Sequence, residues 1–270
     1  MNHGINIPVK QETGINYLFI LPPSQTLKIP VGLAQKSLIT GRTSELQTWI
    51  AAHFIYPGKC QISDNPAAAI SELTQKTPRT IKRHFKRLLK RNWMGKDHKN
   101  GWYFFRGIDR IRKIENIQHR RAVIMDKSDV AMCKAFCIAS VLASIIKTGR
   151  STETEHVTQR SGPLRGFFPV SLQTIKQAFK CSKPTAINYK KMANSAGYVN
   201  TEQNLIQLSI RVIDVKHLKQ SGQSVRLPKF GNGDFINVEP HKLRTDRGKV
   251  FLQASTLIKG NVSLTMRGSV

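Results

Sequence analysis

"TPRTIKRHFKRLLKRNWM", Thr77 to Met94, is the stretch on which the reading of this chain turns. Ile81, Phe85, Leu88 and Leu89 recur at helical spacing and define one apolar face. Thr77 is suited to cap the helix, and Pro78 then falls at the first helical position, where a missing N–H costs little. The other positions carry Arg79, Lys82, Arg83, Lys86, Arg87, Lys90 and Arg91, with no acid among them. A solvated helix face ordinarily mixes signs, because an acid–base pair at i,i+4 stabilises it by about 0.2–0.5 kcal/mol and a like pair costs as much. Here every such pair is repulsive, so the face is expected to lie against a polyanion.

The composition agrees. The chain of 270 residues holds 43 Lys+Arg against 16 Asp+Glu, a formal charge of +27, and is 40% hydrophobic. That is enough apolar material for a folded core, and a surface that gathers anions. Nucleic acid is the expected partner, ahead of an anionic membrane. No apolar run reaches the ~18 residues that span a bilayer. The opening "MNHGINIPVKQETG" lacks a signal-peptide pattern, so a cytoplasmic location is expected. Cys60, Cys133, Cys137 and Cys181 are scattered, without a C-x-x-C pair or a completing His pair. They read as reduced thiols, with Cys133 and Cys137 buried in a helix, and no metal or other cofactor is implied.

The neighbours of the basic helix set its context. "SELQTWIAAHFIY" (Ser44–Tyr56) reads as a helix closed by Pro57–Gly58, and Pro66–Thr74 as a short helix joined to the basic one by a tight turn. Trp93–Met94 and Trp102–Phe105 read as two strands around a basic turn, Asp97–Gly101, bearing Lys96 and Lys99 beside it. Helix, helix, tight turn, basic helix, hairpin resembles the winged helix-turn-helix pattern over residues 41–106. Thr80, Ile81, Phe85, Leu88, Trp93 and Met94 occupy the family's positions. Asn92 stands where the family usually has Gly, and Asn also tolerates a left-handed backbone.

The pattern recurs. "CSKPTAINYKKMANSAGYV", Cys181 to Val199, places Thr185, Ala186, Ala193, Gly197, Tyr198 and Val199 in matching slots. Thr80 and Thr185 are 105 apart (185 − 80), as are Trp93 and Tyr198 (198 − 93). A Ser-capped helix (Ser171–Phe179) and a long apolar helix (Ser128–Lys147) precede this copy, and an alternating strand follows it. The expected fold is α+β and mainly helical: an N-terminal segment (1–40), a first winged-helix domain (41–106), a basic linker (107–127), a second such domain (128–212) and a basic C-terminal extension (213–270). Thr148–Gly166 reads as a long loop within the second domain.

In this plan the first helix is the anchor. Arg79, Lys82 and Arg83 are placed to read bases, and Lys86, Arg87 and Lys90 to hold phosphates, with Lys96 and Lys99 of the wing. Lys183, Thr185, Asn188, Tyr189, Lys190 and Lys191 are the candidates on the second helix. Asn pairs naturally with adenine and Arg with guanine. A core position is the alternative for Tyr189.

Catalytic signatures are absent: no H-E-x-x-H, no G-x-S-x-G, no paired-His motif and no phosphate loop. Asp126 and Asp129 are the one close Asp pair and are expected to start a helix. The expected activity is sequence-specific binding of double-stranded DNA, without catalysis. The paired winged-helix plan in one very basic chain is similar to the replication initiators of plasmids and mobile elements. That resemblance implies origin binding and contacts with replication machinery. A transcriptional regulator, commonly a homodimer that works with transcription machinery, and a sequence-indifferent architectural protein are the alternatives.

Overall fold

Strand β1 (Thr26–Pro30) runs directly into helix α1 (Val31–Ile39), and a left-handed Gly41 turns the chain into α2 (Thr43–Ile55). A short strand β2 (Lys59–Gln61) precedes α3 (Pro66–Thr74) and α4 (Pro78–Lys90), then strands β3 (Met94–Lys96) and β4 (Trp102–Phe105). Helix α5 (Ile108–Ile114) and strand β5 (Arg121–Asp126) follow, and a 3-10 turn (Lys127–Val130) introduces the long α6 (Cys133–Thr152). Next come β6 (Phe168–Val170), α7 (Leu172–Phe179), α8 (Lys183–Ser195) and β7 (Val199–Leu208). The chain ends in β8 (Val225–Pro228), β9 (Phe235–Val238), β10 (Leu243–Asp246), β11 (Lys249–Gly260) and β12 (Leu264–Met266). This computed structural model describes residues 26–56, 59–61, 66–118, 121–152, 166–208, 225–228, 235–238, 243–246 and 249–266. The class is α+β, mainly helical.

The same order of elements is laid down twice. In the first unit β2 pairs with β4, and β4 with β3, all antiparallel. In the second, β6 pairs with β11, and β11 with β7, again antiparallel. Each sheet therefore places the strand that precedes the short helix beside the last strand of the unit. The strands leading into the two units, β1 and β5, pair antiparallel with each other from Thr26↔Asp126 to Pro30↔Ala122. β12 covers the far edge of β5.

The core runs through both units without a break. Leu46, Trp49, Ile50 and Phe54 of α2 meet Ile70, Ile81, Phe85 and Leu88 of the first unit. Phe136, Ile138 and Leu142 of α6 continue the same cluster to Ile175, Phe179, Ala186 and Ile258. Each of the large side chains among them contributes about 1.5–3 kcal/mol by leaving water. Helix α1 packs on α6 and α7, and Gln35 Nε2 donates to Ala178 O at 2.8 Å.

Several expected boundaries change. Residues 26–39, expected in an N-terminal segment, are β1 and α1, which bury Ile29, Leu33 and Leu38. Residues 107–127 contribute α5 and β5, the middle strand of the β1–β5–β12 sheet, rather than a free linker. The long helix starts at Cys133 and not Ser128, because Asp126 N–H donates to Asp129 Oδ2 at 3.0 Å and holds a 3-10 turn ahead of it. It also runs on to Thr152, into the expected loop, of which residues 153–165 lie outside the described residues. The boundary at 212 does not divide the structure. β11, from the expected extension, is the middle strand of the second unit's sheet, because Thr256–Ile258 have alternating partners on both edges.

Candidate nucleic-acid interface

Helix α4 is positioned from three sides. Thr77 caps it, its Oγ1 accepting from Thr80 N–H at 3.3 Å. The residue two before the cap, Gln75, is left-handed (φ 54°), which folds the chain sharply between α3 and α4. Ile81, His84, Phe85 and Leu88 face inward and are buried. Arg79, Lys82, Arg83, Lys86 and Lys90 are exposed, and with 3.6 residues per turn they form one outward stripe. Thr80 joins Arg79, Lys82, Arg83 and Lys86 in lining a shallow groove along that stripe.

Arg87 does not belong to the stripe in the way expected of it. Its Nη1 donates to Glu45 Oε1 at 3.1 Å, and Arg91 Nη2 lies 3.5 Å from Glu45 Oε2. Glu45 comes from the first turn of α2 and is only 5% exposed. Its carboxylate neutralises the flank of α4 and leaves the outward stripe wholly cationic. This acid is 42 residues from Arg87 in sequence (87 − 45), so no local pattern could announce it.

The hairpin β3–β4 stands beside the stripe. Gly95 pairs with Phe104 and is held to glycine, since a Cβ there would lie 2.2 Å from the Phe104 ring. The Arg106 guanidinium lies over the Phe104 ring, 4.7 Å from its centroid, and donates to Asn92 Oδ1 at 3.3 Å. Asn92 is left-handed (φ 58°), as expected of it. Lys96 and Lys99 are exposed at the turn, where Asp97 accepts from Lys99 N–H and Asn100 Nδ2. A cleft bounded by Lys82, Lys86, Phe85 and Tyr103 separates hairpin from helix. Trp93 fixes the base of the hairpin: its Nε1 donates to Glu115 Oε1 at 3.0 Å, and Lys36 Nζ lies 2.7 Å from Glu115 Oε2. Burial pushes the Glu115 carboxyl up, but the hydrogen bonds from Lys36 and Trp93 outweigh it and hold the group below its usual range.

The second unit repeats the scaffold. Ser182 caps α8 through Thr185 N–H at 3.4 Å. Lys180 is left-handed (φ 48°), 105 residues after Gln75 (180 − 75), and Gly197 (φ 75°) lies 105 after Asn92 (197 − 92). Tyr198, in the place of Trp93, donates its hydroxyl to Asp129 Oδ1 at 2.8 Å. The expected base readers divide here. Asn188 and Lys191 are exposed on the outward face and Lys183 at the first turn, while Thr185 is partly exposed with its hydroxyl at the cap. Tyr189 turns inward, its ring 5.2 Å from Phe179 and 5.5 Å from Lys134 Nζ. Lys190 is also drawn in, and burial lowers its ammonium below the usual lysine range. Tyr189 therefore takes the core alternative, and Lys190 is half-buried beside it on the face of Ala186 and Ala193, the small residues that carried that signal.

His84, buried on the inward face of α4, and the partly buried His53 of α2 are the imidazoles closest to this core. His84 Nδ1 is 2.7 Å from Thr48 Oγ1, and burial, reinforced by Lys76, lowers its pKa to about 4. His53 contacts Trp49 O through Nδ1 at 3.0 Å, and burial lowers it to about 4 as well. Cys133 and Cys137 are buried free thiols. No helix among the described residues is long and apolar enough to cross a membrane. No protein-family model, curated protein or solved structure matches the chain.

Proposed function

We propose that the chain is a sequence-specific double-stranded-DNA-binding protein with two winged helix-turn-helix units, and that it acts as a replication initiator of a plasmid or other mobile element. The observation that carries the reading is the outward stripe Arg79, Lys82, Arg83, Lys86 and Lys90, with the Glu45 carboxylate held at the flank by Arg87 and Arg91. Five cations at helical spacing suit a helix seated in a major groove between walls of phosphate, and the exposed Lys96 and Lys99 extend the positive surface to the adjoining backbone.

Arg83 near the N-terminal end of α4, and Asn188 in the same register on α8, are the base readers, through guanine and adenine edges. Lys86, Lys90 and Lys191 hold phosphates and confer affinity without preference. Two heads in one chain let a monomer cover a site that a one-headed regulator covers by dimerising, which favours an initiator over a regulator. The protein then works inside the cell, beside the replication machinery.

Selection of bound duplexes from a random pool, with footprinting and a salt titration, tests this. Repeats at an origin support the initiator, a promoter palindrome supports a regulator, and the absence of any preferred duplex supports a sequence-indifferent packaging role. Affinity that hardly changes with salt refutes DNA binding altogether, since each phosphate contact contributes a slope of about 0.9.

A further inference from the structure

The carboxamide of Gln47 lies on the seam between the two units. It belongs to α2 and is 7% exposed. Nε2 donates to Val130 O at 2.8 Å, with Thr74 O at 3.3 Å and Ala131 O at 3.4 Å within reach of the same amide. Oε1 accepts from Lys76 Nζ. Thr74 and Lys76 flank Gln75, the left-handed residue of the turn that aims α4. Val130 and Ala131 sit where the 3-10 turn passes into α6, the helix against which α8 packs. One side chain thus holds the turn before the first outward helix and the turn before the support of the second.

Apolar burial resists separation of two surfaces and is indifferent to direction. Hydrogen bonds are directional, and a buried amide that loses its partners carries a desolvation cost. A rotation of one unit against the other strips Gln47 of either Val130 or Thr74 and Lys76. The junction therefore fixes an angle where the surrounding leucines and isoleucines fix only a contact.

We propose that Gln47, together with Lys76, is a positioning residue that sets the phase between α4 and α8, and so makes the protein selective for the spacing between the two halves of its DNA site. This rests on the two-headed DNA-binding reading above. With about 10–10.5 base pairs per turn, one added base pair rotates a half-site by roughly 34–36° around the duplex axis. Heads locked in phase lose contact on such a site, whereas heads on a loose joint follow it.

The test uses the full chain and the tightest duplex from the selection, with versions in which one or two base pairs are added or removed between the protected halves. The expected loss for the unaltered protein on the wrong spacing is about tenfold or more, within the usual range of coupling between sites. Gln47→Met keeps the length of the side chain and removes its hydrogen bonds. It is expected to bring the spacing ratio to within about threefold, by loss of that same coupling, with the salt slope unchanged. A thermal midpoint measured alongside separates the roles: a lowered midpoint with an intact spacing ratio overturns the proposal and makes Gln47 merely structural. Lys76→Met, at a half-exposed position, is expected to relax spacing in the same direction, and decides the matter if Gln47→Met does not fold. An unaltered protein that binds duplex with no spacing preference also overturns the proposal, while leaving DNA binding standing. Failure of all salt-dependent duplex binding overturns the functional reading instead.

Discussion

Helices α4 and α8 stand in one register and are built to one plan, yet they present opposite surfaces. Both are 13 residues long, both start from a hydroxyl cap, and both follow a turn with a left-handed residue at the same place. The outward positions Arg79, Arg83, Lys86 and Lys90 correspond, 105 residues on, to Pro184, Asn188, Lys191 and Ser195. Four cations face one. What the copies share is what aims a helix: caps, turn conformation, buried aliphatics and an aromatic pinned by a carboxylate. What differs is what a helix would touch. A scaffold held from behind leaves its front free to take on a different chemistry.

The strongest way to break this contrast is to strip both fronts. Changing Arg79, Arg83, Lys86 and Lys90 together to Ala should lower the salt slope of duplex binding by at least about 1.8, the phosphate contacts of Lys86 and Lys90 at about 0.9 each, and cost at least 100-fold in affinity near physiological salt. The corresponding change on α8, Lys191→Ala, should lower the slope by no more than about 0.9. Asn188→Ala should instead flatten base preference by about 1–3 kcal/mol at one position, as should Arg83→Ala alone. Equal slopes for the two helices in a filter-binding or fluorescence titration would erase the distinction.

The flank of α4 gives the next effect. Glu45→Gln leaves Arg87 and Arg91 without their carboxylate, and urea unfolding should show a loss of about 2–3 kcal/mol, below the full penalty for a buried pair because both arginines are partly open to water. Acid should also act on one unit before the other. His53 and His84 titrate near 4 in the fold and near 6.5 when unfolded, and neither α6, α7 nor α8 contains a histidine. Their folded pKa is depressed, so the unfolded chain binds the extra protons, and stability is lost as pH falls from about 6.5 to about 4. The loss should be about 1–2 kcal/mol for each imidazole. Tryptophan fluorescence, which reports Trp49, Trp93 and Trp102, all of the first unit, should detect the change first, and His84→Gln should reduce it.

The smallest expected effect is a gain. Gln75 and Lys180 are exposed and left-handed. Replacing either with Gly removes a backbone penalty of about 1–2 kcal/mol and returns part of it as chain entropy, for a net gain of about 0.5–1 kcal/mol in thermal unfolding. A gain at one site only would mean that the two turns differ more than their torsions do.

Local chemistry made much of this legible from residues alone. The span of α3, Pro66–Thr74, and the cap and first residue of α4 were readable because Pro and Thr act within a turn of where they stand. Gln75 and Lys180 were not, because their residue types do not favour a positive φ and only the tight turn imposes it. Among the candidate contacts, the stripe on α4 was readable from spacing. The diversion of Arg87 was hidden, since Glu45 reaches it through the packing of α2 on α4. The inward turn of Tyr189 and Lys190 was visible in principle: small Ala186 and Ala193 mark where α8 meets its neighbours, and both residues lie on that side.

Strand β11 ties the second unit to the order of synthesis. The first unit's sheet holds all of its strands once residue 105 has been made, whereas the second lacks its middle strand until residue 260. On a ribosome, where N-terminal parts fold first, β6 and β7 wait for a partner while the chain between them and β11 is translated. Unpaired strand edges are the places where chains stick to one another. A message interrupted at codon 213 would therefore yield a finished first unit joined to two strands with nothing between them, a product for quality control rather than a smaller version of the protein.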